Sequence, residues 1–280
     1  MTGLPDLAIP ALLRKYNLTA KKGLGQNFLL DASALQKVVA AADIPPQASV
    51  LEIGPGLGSL TRYLARAARH VVAVELDGNL IPALQEVLVG ENNVTIVHGD
   101  ILKQNIGTLI SDPGYLVVAN IPYYITSAVI RHLLEAQVQP SRLVLTMQKE
   151  VAARICAKPG DLSMLALSVQ VYGEPRVVAH IPAGAFYPPP NVDSTVLRVD
   201  LYPHARISPD QLEDFFHLAK VAYAQKRKTL RNTLSAGLHW PPEKAVQMLT
   251  SAGIDPMRRA ETVSIEEWGK LILAYRAAGN

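Results

Sequence analysis

The 280 residues contain a single cysteine, Cys156, so the chain can form neither an internal disulfide nor a multi-cysteine zinc site. That residue reads as a small, buried apolar side chain. Apolar residues nowhere run together for the roughly eighteen positions that a membrane-spanning helix needs. Pro5, Asp6 and Pro10 interrupt the N-terminal stretch, which has no signal-peptide core. The chain is therefore expected in the cytoplasm, away from membranes. Internal repeats and low-complexity segments are missing as well. What is left is an ordinary globular composition, 49% hydrophobic and 18% charged, at a length that suits one large domain with a smaller appendage.

Net charge is also scarce, at +3, yet unevenly placed. Residues 204–280 hold 11 Lys and Arg against 8 Asp and Glu, whereas residues 1–203 balance at 16 against 16. Lys220, Lys226, Arg227, Lys228 and Arg231 follow one another with no acid among them, and Arg14, Lys15, Lys21 and Lys22 form a second acid-free group. Either group suits contact with phosphate, and either also suits a solvated helix face.

Hydrophobic spacing organises the remainder. Asp31 or Ser33 can cap a helix carrying Leu35, Val38, Val39 and Ala42 on one face, and Pro45-Pro46 stops it. Short β-branched runs follow at 50–53, 71–75, 94–98, 116–119 and 143–147. Helical periods such as Leu60, Leu64, Ala67 and Ala68 separate them. Apolar strands alternating with helices predict a doubly wound, mostly parallel α/β sheet, with a ligand beyond the carboxyl ends of its strands. Strand-like runs at 177–181 and 194–199, with no helix between them, predict an antiparallel edge. From Ser208 the spacing is helical only: Leu212, Phe215, Phe216 and Ala219; then Ala245, Met248 and Leu249; then Trp268, Leu271, Ile272 and Tyr275. The expected division is a large α/β domain at 1–203 and a small α-helical domain at 204–280.

Glu52-Ile53-Gly54-Pro55-Gly56-Leu57-Gly58 places a glycine turn between a strand and a helix, where side chains would keep a ligand from the backbone. A dinucleotide fingerprint would need glycine where Ser59 stands, although the loop alone comes close to that of a dehydrogenase. N–H groups at such a helix start can hold a carboxylate, which fits a nucleoside cofactor built on methionine. Glu75, 19 residues after Gly56, ends the second strand where an acid chelates ribose hydroxyls. Asp100 ends the third and can accept from an adenine amino group.

The fourth strand delivers Asn120-Ile121-Pro122-Tyr123 to the same edge. An exocyclic amine on a purine is a weak nucleophile, because its lone pair is delocalised into the ring. The Asn120 side-chain oxygen and a main-chain carbonyl near Pro122 can each accept one of its N–H bonds and aim the lone pair at a sulfonium methyl. Proline fixes the chain direction, and Tyr123 offers a flat face to a base taken out of its stack. The tetrad contains no Asp or Glu, and methyl transfer from a cation needs positioning more than a strong base. No metal is called for.

These residues resemble those of the KsgA-type (RsmA) rRNA adenine dimethyltransferases, a family that includes eukaryotic enzymes and, more distantly, the Erm resistance methyltransferases. The similarity spans nearly the whole chain. It takes in Gly25 to Leu29, the Gly54 loop, Glu75, Gly99-Asp100, the Asn120 tetrad, Phe186 to Ser194, Gln225 to Asn232 and Arg259 to Thr262. The resemblance implies a Rossmann-like methyltransferase fold with S-adenosylmethionine as cofactor, lined by Asn27, Leu29, Gly54, Gly56, Glu75, Asp100 and Asn120. It also implies transfer to N6 of two adjacent adenosines in a hairpin near the 3′ end of 16S rRNA, within the small ribosomal subunit or its precursor. The enzyme would act as a monomer, with Lys226, Arg227, Lys228 and Arg231 on a basic helix that meets the RNA. Tyr124 and Gly23 depart from the family pattern. An Erm-type large-subunit methyltransferase and a non-catalytic assembly factor are the competing readings.

Overall fold

The computed structural model describes residues 4–122 and 125–279. Among them the chain forms two compact units: the residues up to Ala152 together with Pro175–Leu201, and Ala153–Glu174 together with the residues from Tyr202 onward. The expected boundary at 203/204 thus falls at 201/202, and a segment expected in the large domain groups with the helices.

The first unit begins with helix α1 (Ile9–Lys15), strand β1 (Phe28–Leu29) and helix α2 (Ala32–Ala42). There follow β2 (Ser49–Ile53), α3 (Ser59–Ala67), β3 (His70–Glu75), α4 (Ile81–Val87), β4 (Val94–His98), α5 (Ile106–Leu109), β5 (Leu116–Asn120), α6 (Thr126–Leu134) and β6 (Arg142–Gln148). Helix α7 (Lys149–Ile155) and helix α8 (Met164–Gln170), the latter grouped with the second unit, lead to β7 (Gly173–Ile181), β8 (Phe186–Tyr187) and β9 (Ser194–Leu201). Cys156, just past α7, is half-buried rather than buried. Seven strands form one sheet in the order β4-β3-β2-β5-β6-β9-β7, and β1 pairs with β8 in a separate ribbon. Strands β2 to β6 are parallel, and β9 runs antiparallel to β6, the expected reversed edge. The chain winds outward from β2 through β3 to β4 and then crosses back to β5 on the other side of β2, a reversal that opens a crevice at the carboxyl ends of β2 and β5.

Local sequence explains the covering helices. Asp31 accepts the Ala34 N–H at 2.7 Å and caps α2, so Asp31 rather than Ser33 starts the helix. Its Leu35, Val38 and Ala42 join Leu64 of α3 and Val50, Val118, Val144 and Val196 of the sheet in one buried cluster. Each large side chain buried there stabilises the unit by roughly 1.5–3 kcal/mol. Helix α1 starts with Pro10 in its first turn, where the missing N–H would have had no partner anyway. Its Ile9 and Leu13 pack with Phe28, Leu57 and Leu80.

The second unit carries α9 (Leu212–Tyr223), α10 (Leu230–Leu238), α11 (Pro242–Ser251) and α12 (Ile265–Ala277). Phe215 and Trp268 meet edge to face, 6.2 Å apart, and are buried, as are Leu218, Leu234, Leu249 and Leu271. Ser264 and Glu267 close a capping box at the start of α12. Within this unit Glu261 accepts the N–H groups of Gly160 and Leu162 through its carbonyl, and Arg258 binds Glu267 and Thr262. The Arg259 to Thr262 segment therefore sits where the chain of this unit is stitched together. No helix among the described residues is long and apolar enough to cross a membrane.

Candidate active site

The crevice is bordered by the N-terminal segment at 24–29, the glycine loop, the ends of β3, β4 and β5, and Phe186. Strand register sets its geometry: Ile53 lies beside Val74 on one side and Ala119 on the other, so Gly54, Glu75 and Asn120 leave the sheet together. Gly54, Gly56 and Gly58 all have positive φ. At Gly56 the need for glycine is twofold, since φ is +59° and a Cβ would sit 2.9 Å from Phe28 Cδ1. Gly58 caps α3 without a side-chain acceptor, so the first-turn N–H groups of that helix, next to the crevice-lining Ser59 and Leu60, suit an anion.

Glu75 is buried. Its Oε2 accepts the Gly56 N–H at 2.9 Å and its Oε1 the Asp77 N–H at 2.8 Å, leaving each oxygen a further lone pair. Burial raises its pKa, and the backbone N–H groups partly offset this. Asp77, also buried, accepts Lys21 Nζ at 2.8 Å on Oδ1 and Gln26 Nε2 at 3.0 Å on Oδ2. Burial pushes its carboxyl up, but the bonds from Lys21, Gln26 and Asn79 prevail and hold it below the usual range. Glu52, just inside the sheet, is 1% exposed and its Oε2 has no hydrogen-bond partner among the described residues. Burial, reinforced by the Glu75 charge and only partly countered by the Thr61 hydroxyl, pushes its pKa up to about 8. Asp100 accepts the Leu102 N–H at 3.0 Å on Oδ1, so it caps the following turn as well as lining the crevice. Its Oδ2 is without a hydrogen bond among the described residues.

Asn120 is half-buried at the end of β5, and its Nδ2 donates to the Asn27 carbonyl at 3.0 Å. The Pro122 carbonyl accepts the Ile125 N–H at 3.2 Å and faces the Thr126 hydroxyl at 3.4 Å. That oxygen is thus already engaged by the chain that follows. Asn27 borders the crevice, with its side chain on the Gly25 carbonyl at 3.2 Å. Leu29 is 3% exposed, pairs with Phe186 in the β1–β8 ribbon and borders the crevice from the core side. Tyr123 and Tyr124 lie outside the described residues. A Cβ at Gly23 would meet nothing within 4 Å, so that departure from the family pattern has no steric consequence.

The two basic groups part company. Lys15 is paired with Glu86 at 2.6 Å and Lys21 with Asp77, so half of the N-terminal group serves the fold rather than phosphate. Lys220, Lys226, Arg227, Lys228 and Arg231 are exposed and form no ion pair among the described residues. They are not on one helix, however, and the expected basic helix is corrected. Helix α9 ends at Tyr223, α10 begins at Leu230, and Lys226, Arg227 and Lys228 occupy the turn, where the Lys228 N–H bonds to the Gln225 carbonyl. The reason is packing: Gly237 lies so close to Val221 that a Cβ there would be 2.4 Å from Val221 Cγ1. A continuous helix would hold those two residues about 24 Å apart.

Sequence reasoning did not single out Phe28, Gln26 or Asp77. The Gly25 to Leu29 resemblance contained two of them, and Asp77 stands two residues beyond Glu75, so a paired acid at a strand end was the available signal.

The sequence model of a family described as ribosomal RNA adenine dimethylase matches residues 17–276. The ribosomal RNA small subunit methyltransferase A of Dehalococcoides mccartyi (strain CBDB1) is 49% identical, covering 96% of this chain and 92% of its own. That of Geobacillus kaustophilus (strain HTA426) is 42% identical, covering 95% and 96%. A crystal structure of a dimethyladenosine transferase from Plasmodium falciparum superposes with a TM-score of 0.79 at 26% identity, over 90% of this chain and 98% of the other. The 23S rRNA methyltransferase ErmE superposes at 0.70 with 28% identity, over 89% and 99%.

Proposed function

Because this chain belongs to the ribosomal RNA adenine dimethylase family, we propose that it methylates N6 of two adjacent adenosines in a hairpin near the 3′ end of 16S rRNA, twice each, within the small ribosomal subunit or its precursor. The observation that carries this reading is the emergence of Asn120 at the crevice edge beside the Gly54 loop, where a Cβ on Gly54 would lie 3.9 Å from the Asn120 carbonyl.

S-adenosylmethionine, when bound, supplies a methyl group on a cationic sulfur. The residues present fit it. Both Glu75 oxygens keep lone pairs for ribose hydroxyls, Asp100 Oδ2 suits an adenine amino group, and the capless start of α3 suits the methionine carboxylate. Asn27, Leu29, Gly54 and Gly56 form the surrounding wall. Asn120 Oδ1 accepts one N–H of the target amine and a main-chain carbonyl beside Pro122 the other, turning the lone pair toward the methyl group. Tyr123 stacks on the extruded base, a contact of roughly 1–3 kcal/mol. The tetrad brings no carboxylate, and alignment together with a site that matches the moving positive charge lowers the barrier.

Lys226, Arg227, Lys228 and Arg231 bind RNA phosphates, supported by their exposure and by the lack of acidic partners among the described residues. The enzyme works as a monomer in the cytoplasm. Incubation with labelled cofactor and small subunits lacking dimethyladenosine should place the label at two adjacent adenosines of the 16S rRNA. Asn120→Ala should abolish transfer while cofactor still binds. Label in large subunits instead would indicate an Erm-type target, and binding to small subunits without transfer to any particle would leave an assembly factor.

A further inference from the structure

A carboxamide presents a donor from one end and an acceptor from the other, and the end facing the substrate decides whether Asn120 helps. An exocyclic amine brings two donors. Oδ1 must face it, because a flipped side chain would set N–H against N–H. The Asn27 carbonyl can only accept, and at 3.0 Å from Asn120 Nδ2 it selects the orientation that turns Oδ1 away from the N-terminal segment.

The placement of that carbonyl is itself determined by a clamp. Lys21 and Gln26 take one oxygen each of the Asp77 carboxylate, at 2.8 and 3.0 Å. Gln26 Oε1 also accepts the Lys21 N–H at 2.8 Å, and the Gln26 N–H returns to the Lys21 carbonyl at 3.3 Å, closing the segment on itself immediately before Asn27. Asp77 is 5% exposed, and its Oδ1 is further fixed by Asn79. Immediately after Asn27, Phe28 lies against Gly56 and among Ile9, Leu13 and Leu57. Asn27 is therefore held on both sides, and Asp77 is joined through its own N–H to Glu75.

We propose that Lys21 and Gln26, by gripping Asp77, hold the Asn27 carbonyl where it locks the Asn120 amide with its oxygen toward the substrate. Lys21, Gln26 and Asp77 are positioning residues for methyl transfer. The inference rests on the reading of Asn120 as the acceptor that orients the amine.

The test compares the full-length protein with the Lys21→Met/Gln26→Met double variant. Gln26→Glu serves as a near-isosteric second variant that sets a carboxylate against Asp77. Two readouts are taken. In steady-state methylation of small subunits, kcat should fall about tenfold in both variants while KM for S-adenosylmethionine changes by less than about threefold, and Lys21→Arg should retain the wild-type kcat. In 15N NMR, the Asn120 side-chain NH2 signals, assigned by their loss in Asn120→Ala, should exchange with solvent several-fold faster in both variants. Unchanged Asn120 exchange, or an effect confined to KM, overturns the proposal. Wild-type protein that methylates no ribosomal particle would sink the functional reading instead, and the NMR comparison would still decide on the clamp.

Discussion

Replacing Glu52 by glutamine should make the protein more stable at neutral pH, against the usual result of altering a buried residue. Glu52 is 1% exposed in β2, its Oε2 has no partner among the described residues, and its pKa is pushed up to about 8 from 4.5. Between those two values the folded protein retains a proton that the unfolded chain has released. The stability that this raised pKa provides is fully present below 4.5, declines as pH rises, and is gone above about 8. At about 1.4 kcal/mol per pH unit, roughly 3 kcal/mol disappears between pH 4.5 and pH 7. The glutamine side chain of Glu52→Gln has nearly the same shape and never ionises. The difference in unfolding free energy between variant and wild type should therefore move in favour of the variant by about 3 kcal/mol over that interval. Carboxylates held below their usual range, such as Asp77, Asp200 and Glu267, lose stability as pH falls, but they are common to both proteins and cancel in the difference. Urea unfolding of both proteins at pH 5, 6, 7 and 8 measures it directly. Parallel stability profiles across that range would refute the assignment of a neutral, buried Glu52.

Two other outcomes follow from the second unit. Gly237→Ala should destabilise that unit by about 1–3 kcal/mol in denaturant unfolding through the clash with Val221, and Val221→Ala in the same chain should restore most of the loss. Replacing Lys226, Arg227 and Lys228 by Ala should reduce the slope of log affinity for small subunits against log salt by about 2, near 0.7 per single-strand phosphate contact. A slope equal to that of wild type would mean that this turn is merely solvated.

Long-period signals in the sequence transferred well to the structure. The five parallel strands lie within one or two residues of their β-branched runs, and the three strand ends that carry Gly54, Glu75 and Asn120 emerge at one crevice because a parallel register leaves little freedom. Helices α7 and α8, seven residues each, were too short to show an amphipathic period, and α8 reads as an apolar run that could equally be strand. Helix α1 was hidden by Pro10, which read as a break although it stands in a first turn. The turn at Lys226 was masked for a different reason. Val221, Leu230 and Leu234 have helical spacing only if the chain between them is helical, and the close approach of Gly237 to Val221 is a property of two helices that no single window contains. Lys21 illustrates the same limit, since charge clustering cannot reveal that a lysine's partner is an aspartate 56 residues away.

The β1–β8 ribbon has a consequence for how the protein is made. Phe28 and Leu29 leave the ribosome about 160 residues ahead of their partners Tyr187 and Phe186. The wall that carries Asn27 is thus synthesised well before the strand that secures it. Long-range closure of this kind is slow relative to local helix formation. A nascent chain released before Phe186 would have the glycine loop, Glu75 and Asn120 in place on paired strands, but one side of the crevice would lack its backing strand. Cofactor binding should therefore mature after the parallel sheet does, which makes it a reporter of complete folding of the first unit rather than of its onset.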